Sequence, residues 1–174
     1  MYRKAKRYVN TLRHLKPSQL YWQIRYRLYR SKKIETVPHV NIKQLEVPVV
    51  RFINKRSFIG QSEIELISVK SSYQLPTLWS DKSRDDLWFY NVHYFDYINN
   101  SEVDNKLKYR LVENWIDNAS SNSAGRQAYP TSLRIVNWIK WLTKNKITDQ
   151  KILQSLYSQC CYLDKNIEKH ILAN

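Results

Sequence analysis

The chain has 174 residues, 43% of them hydrophobic, and a formal charge of +14, which suits one ordinary domain with a buried core and argues against intrinsic disorder. Its two glycines, Gly60 and Gly125, exclude a glycine-rich phosphate loop and argue against a turn-dense β-barrel. No apolar run approaches the roughly 18–20 residues of a membrane span. The basic N-terminus lacks the apolar region of a secretory signal, so a cytoplasmic location is expected.

Residues 1–33 hold eleven Lys or Arg and no acid, whereas the rest carries eighteen basic and fifteen acidic groups. The basicity therefore belongs to the N-terminal segment. Residues 3–15 and 18–31 read as two helices broken at Lys16-Pro17, with Pro17 suited to a first helical turn. Together they form a basic helical hairpin over 1–33. In the second helix Leu20, Ile24 and Leu28, interspersed with Tyr21, Trp22, Tyr26 and Tyr29, give a stripe flanked by arginines.

Residues 34–85 change character. Pro38, Pro48 and Pro76, short apolar pieces such as VPVVRFI and weak periodicity predict an irregular strap with short strands. From residue 86 to 174 the pattern is helical again. One helix is predicted around Trp88 to Asn99. A second, over 105–118, has Leu107, Leu111, Val112, Trp115 and Ile116 along one side. The loop SSNSAGRQAYP breaks the pattern, and Thr131 or Ser132 offers an N-cap to the next helix, which contains Leu133, Val136, Trp138, Ile139 and Leu142. Thr148 or Asp149 caps the last, whose apolar residues Ile152, Leu156, Cys160, Leu163, Ile167 and Ile171 keep a helical period. Adjacent Cys160 and Cys161 point about 100° apart on such a helix, which opposes a disulfide and leaves them as small hydrophobes. Helices joined by loops suit a mainly α, layered array of α-hairpins.

Three segments could carry chemistry. LWFYNVHYFDY (Leu87 to Tyr97) packs aromatics with Asn91, His93 and Asp96. On one helix His93 and Asp96 fall three apart and can touch. Aromatic faces beside amide and imidazole donors suit sugar rings; equally, Trp88, Tyr94 and Phe95 are core and His93 is hydrogen-bonded inside. No second ligand pair stands at a spacing that would make His93 a metal site. In YPTSLRIVNWIKW (Tyr129 to Trp141), Arg134 and Asn137 lie one turn apart near a helix N-terminus, where a guanidinium could hold a carboxylate. The alternative is an ion pair with Asp96 or Glu113. EKHILAN (Glu168 to Asn174) sets an amide beside an imidazole.

Taken together, these segments resemble the N-terminal helical domain of the heparinase II/III family of polysaccharide lyases, in which LW-x-YN-x-HYFDYL is followed by WI-x-N, YPTSLRIVNWIKW and E-x-HLL-x-NH. The matches are Leu87 to Tyr97, Trp115 to Asn118, Tyr129 to Trp141 and Glu168 to Asn174. LRHLKPSQLYWQIRYRLYR also looks like the family's opening. The resemblance implies a partial α/α toroid and cleavage of uronate-containing polysaccharide by β-elimination without cofactor or metal. In that reaction an amide and an imidazole neutralise the uronate carboxylate while a tyrosine or histidine moves the C5 proton. Asn174 falls on the carboxylate-neutralising Asn; Asn91, His93, Tyr94, Tyr129, Arg134 and Asn137 are the substrate-binding candidates. Arg126, Gln127 and Ala128 stand where the family has Trp-Glu-Pro. The family's following His and acid/base Tyr lie beyond residue 174, so a truncated chain, inactive alone, is expected. Related lyases are often periplasmic.

Two other readings compete. Residues 1–33 could grip an anionic membrane surface or another polyanion, although no nucleic-acid motif appears and none is expected as a partner. Alternatively another chain completes the array. For the truncated array, self-association through the unpaired apolar stripe Leu156, Leu163, Ile167 and Ile171 is expected.

Overall fold

The computed structural model describes residues 15–29, 57–81, 83–118 and 124–167. Residues 3–14 of the first predicted helix, the VPVVRFI piece with the rest of 34–56, and the EKHILAN segment with Asn174 lie outside the described residues. The chain divides into two units, Met1–Lys32 with Asp164–Asn174, and Lys33–Leu163.

Within the first unit, α1 (Pro17–Tyr29) begins on its proline, whose fixed φ and missing N–H cost nothing in a first turn. In the second unit a three-stranded antiparallel sheet, β1 (Phe58–Ile59), β2 (Glu63–Leu66) and β3 (Val69–Ser72), runs in the order β1-β2-β3. Glu63 pairs with Ser72 and Leu66 with Val69. The two residues between β2 and β3, Ile67 and Ser68, both take positive φ, 46° and 65°, as the tightest hairpin turns require. Ile64 and Leu66 point inward while Glu63 and Glu65 face outward, the alternation of a half-buried strand. The expected strap thus joins the core: Ile59, Ile64, Leu66, Leu78 and Trp79 share one apolar cluster with the helices.

The helices of this unit are α2 (Asp86–Tyr94), α3 (Asn105–Asn118), α4 (Ala128–Lys144) and α5 (Gln150–Asn166), the last of which crosses into the first unit's residues. Three start on an aspartate whose carboxylate accepts the amide three residues on: Asp85 from Trp88 (2.8 Å), Asp104 from Leu107 (3.2 Å) and Asp149 from Ile152 (3.0 Å). Each such cap contributes about 1 kcal/mol. Helix α4 differs from expectation. It begins at Ala128, ahead of Thr131 and Ser132, because Pro130 fits a first turn; Gln127 precedes it without a side-chain cap.

The helix predicted from Trp88 to Asn99 is broken. It ends at Tyr94, Phe95 turns left-handed (φ 58°, ψ 28°), and Asp96–Asn99 forms a 3₁₀ turn. That conformation costs a non-glycine residue about 1–2 kcal/mol. Phe95 is fully buried, stacked on Trp79 at 5.5 Å and edge-on to Trp115 and Trp138. Burying a phenylalanine gives about 1.5–3 kcal/mol and each aromatic pair about 0.5–1.5 kcal/mol more, so packing outweighs the strain. Asp96 lies beyond the break, in the 3₁₀ turn, where its Oδ2 accepts from Ser57 Oγ at 3.0 Å.

Candidate functional site

Breaking α2 at Tyr94 leaves its last carbonyls without helical partners. The neighbouring segments supply them. Tyr97 Oη donates to the Val92 carbonyl (2.9 Å), Arg134 Nη1 to that of His93 (3.3 Å) and Asn137 Nδ2 to that of Tyr94 (2.8 Å). Asn99 Nδ2 in turn donates to the Asn137 carbonyl at 3.2 Å. Arg134 and Asn137, one turn apart on α4, thus dock α4 onto the end of α2, where a cation also meets the negative end of the helix dipole.

Arg134 is fully buried. Its Nε donates to Gln159 Oε1 (2.6 Å), and Nη2 donates to the Gly125 carbonyl (2.8 Å) and to Thr131 Oγ1 (3.2 Å). Its guanidinium carbon lies 4.0 Å from the Trp115 ring centroid, a desolvated cation–π contact on the order of 2 kcal/mol. Neither Asp96 nor Glu113 is a partner. Neutral oxygens and a π face hold the charge instead, and every acceptor is part of the protein. Burial pushes the guanidinium pKa down to about 9, opposed by Tyr97 and Tyr162, so Arg134 remains charged at neutral pH.

His93 is equally buried. Trp115 Nε1 donates to its Nδ1 at 3.2 Å, while a further hydrogen bond joins the ring to the Trp79 backbone. Phe89 meets the ring edge-on at 5.0 Å. Burial first, and the Arg134 charge second, push its pKa down to about 3, so the imidazole is neutral. A donor aimed at Nδ1 requires the proton on Nε2. Gly125 presses against the same ring: a Cβ there would sit 2.8 Å from Nδ1.

His93, Arg134 and Asn137 were expected to touch sugar; the structure buries His93 and Arg134 completely, and Asn137, half-buried, donates to the Tyr94 carbonyl. Asn91 donates from Nδ2 to the Leu87 carbonyl at 2.8 Å and remains partly exposed. Tyr94 and Tyr129 meet edge-on at 5.8 Å, with Tyr129 64% exposed. Beside them Tyr90 Oη donates to Gln127 Oε1 at 3.1 Å. The accessible side of α2 and the start of α4 therefore carry three tyrosines and two amides. Tyr94's pKa is raised by partial burial first, then by Tyr129, Tyr90 and Asp96, so its phenol stays protonated.

Sequence reasoning missed Gln159, Gly125, Tyr90 and Gln127. Gln159 had a detectable signal, since it lies beside the apolar stripe of α5 and three residues from Leu156. Gly125 had only its rarity. Among the described residues no group of three His, Cys, Asp or Glu could hold a metal ion, and Cys160 and Cys161 are free thiols.

Comparison with known proteins finds no matching family model, curated protein or solved structure. The fold is mainly α-helical with a small antiparallel sheet, and no helix among the described residues is long and apolar enough to cross a membrane.

Proposed function

We propose that the larger unit is the sugar-facing part of a polysaccharide lyase domain of the heparinase II/III kind, a section of an α/α toroid that binds uronate-containing glycan along α2 and the start of α4. The observation that carries this reading is the exposed Tyr129 ring, edge-on to Tyr94 and next in the chain but one to Gln127, which accepts from Tyr90, with Asn91 partly exposed on the same helix as Tyr90 and Tyr94. Sugar rings present an apolar C–H face and a rim of hydroxyls, which aromatic faces and amides complement. Further support comes from the meeting of resembling segments: Leu87 to Tyr97, Trp115 and Tyr129 to Trp141 are joined by the Trp115–His93, Arg134–His93 and Asn137–Tyr94 hydrogen bonds. Isolated likenesses would have no reason to converge.

In this reading His93, Arg134 and Asn137 are positioning residues that lock the end of α2 and hold Tyr94 against Tyr129. β-Elimination also needs a base and a group to quench the uronate charge. A neutral buried imidazole, a committed guanidinium and a protonated phenol supply neither, so in this reading His93 and Arg134 only position the accessible side chains that meet glycan. The resemblance assigns charge quenching to Asn174.

The test is a calorimetric titration of the chain with uronate-containing oligosaccharides, beside an assay for unsaturated uronate product. Tyr129→Ala removes an exposed ring, and the expected result is an unchanged melt with affinity about tenfold weaker, roughly 1.4 kcal/mol. Failure to bind any acidic glycan, or equal affinity in the variant, would overturn the reading.

A further inference from the structure

Helix α1 presents its apolar side outward. Tyr21, Ile24 and Leu28, spaced three and four apart and so on one helix face, are 56%, 59% and 73% exposed, whereas Trp22 and Tyr26 are half-buried. Arg25 and Arg27 are exposed beside this face and Lys16 at the helix start. Neither α1 nor the rest of residues 1–33 contains an acid, against eleven basic residues. A water-facing helix normally shows the reverse pattern, with polar residues outward.

We propose that α1 docks on an anionic phospholipid surface, lying in the plane of the interface with Tyr21, Ile24 and Leu28 entering the headgroup–acyl boundary and the basic residues over the lipid phosphates. The helix has thirteen residues, about 20 Å at 1.5 Å per residue, too short to span and long enough to lie flat. Charge complementarity selects an anionic partner, and the aliphatic stripe selects lipid among anions. A nucleic acid would engage only the cations and leave Ile24 and Leu28 in water. Tyrosine is also at home at this boundary, with an apolar ring and a polar tip. This surface belongs to the first unit and does not depend on glycan binding by the second.

The experiment is co-sedimentation of the full chain with phosphatidylcholine vesicles, with and without phosphatidylglycerol, at low and high salt. Binding to the anionic vesicles alone, weakened by salt, is expected. The double variant Ile24→Ser/Leu28→Ser, which keeps every charge, is expected to lower partitioning by about tenfold or more, as loss of two inserted aliphatic side chains requires. Tyr21→Ser, made separately, is expected to act in the same direction and serves if the double variant loses helix content. Absence of binding to anionic vesicles overturns the proposal. So does serine-variant binding equal to wild type, or equal binding of wild type and variant to RNA and vesicles alike, since adsorption by charge alone would then suffice.

Discussion

Acidification is expected to destabilise this protein through His93. Protonating the ring would put an N–H on Nδ1 directly opposite the Trp115 Nε1–H, 3.2 Å away, and would add a second cation to a space already holding Arg134. The ordinary pKa of 6.5 falls to about 3 in the fold. With the folded value below the unfolded one, only the unfolded chain takes up the proton between them. Stability is therefore fully present above about 6.5 and is lost as pH falls toward 3. At pH 5 the unfolded imidazole is about thirtyfold more protonated than unprotonated while the folded one is almost wholly neutral, a loss of about 2 kcal/mol relative to pH 7. Any folded value below about 4 gives nearly the same figure, because at pH 5 the folded ring is then already neutral. Against a typical total of about 5–15 kcal/mol, this is a large share.

The assay is urea unfolding at pH 7 and pH 5 for wild type and His93→Gln. His14, His39 and His170 are present in both proteins and cancel. Wild type is expected to lose about 2 kcal/mol more than the variant over this window. Equal losses would refute the reasoning. So would an NMR titration of the folded wild type in which the His93 ring protonates near pH 6.5, a measurement that stands even if the variant folds poorly.

Two further perturbations probe the same cluster. Gly125→Ala would set a methyl 2.8 Å from His93 Nδ1 and 3.1 Å from Cε1. The ring is tied to Trp115 and Trp79 and has little room to yield, so destabilisation of about 1–3 kcal/mol is expected; a melting temperature equal to wild type would show that the ring moves freely. Arg134→Lys keeps the charge but not the planar fork that reaches Gln159, Gly125, Thr131 and His93 at once. Leaving buried acceptors unmatched is expected to cost at least about 2 kcal/mol in chemical denaturation, and a lysine variant as stable as wild type would mean that charge alone matters.

How much of this was legible in the sequence depended on the range of the forces involved. The span of α3 and the start of α5 at Asp149 rest on local rules, apolar spacing and an aspartate cap, and both could be read directly. The hairpin over 63–72 could not. Its turn is Ile67-Ser68, without the Asn-Gly or Asp-Gly signal that usually marks such connections, and tertiary burial of Ile64 and Leu66 holds it instead. The break at Phe95 was hidden for the same reason. Nothing in HYFDY forbids a continuous helix, and only Trp79, Trp115 and Trp138, brought from three other segments, make the left-handed residue worth its strain.

That break also accounts for the polar residues of the motif. A helix stopped inside a core leaves carbonyls that water cannot reach, and each unmatched one costs on the order of 1–3 kcal/mol. Donors must come from elsewhere in the chain, so Arg, Asn and Tyr are required there whether or not any ligand binds. A sequence pattern built around such a break displays the residue types of an active site, and chemistry then falls to side chains left over from this structural task. On the described surface the proposed ones are Tyr90, Asn91 and Tyr94, which helical spacing alone puts on one face of α2, with Gln127 and Tyr129, whose meeting with them no local spacing foretells. The buried polar residues give the segment its distinctive wording, while the accessible tyrosines are the groups proposed to meet glycan. Substitutions in the two sets should therefore separate, the first acting on stability and the second on binding.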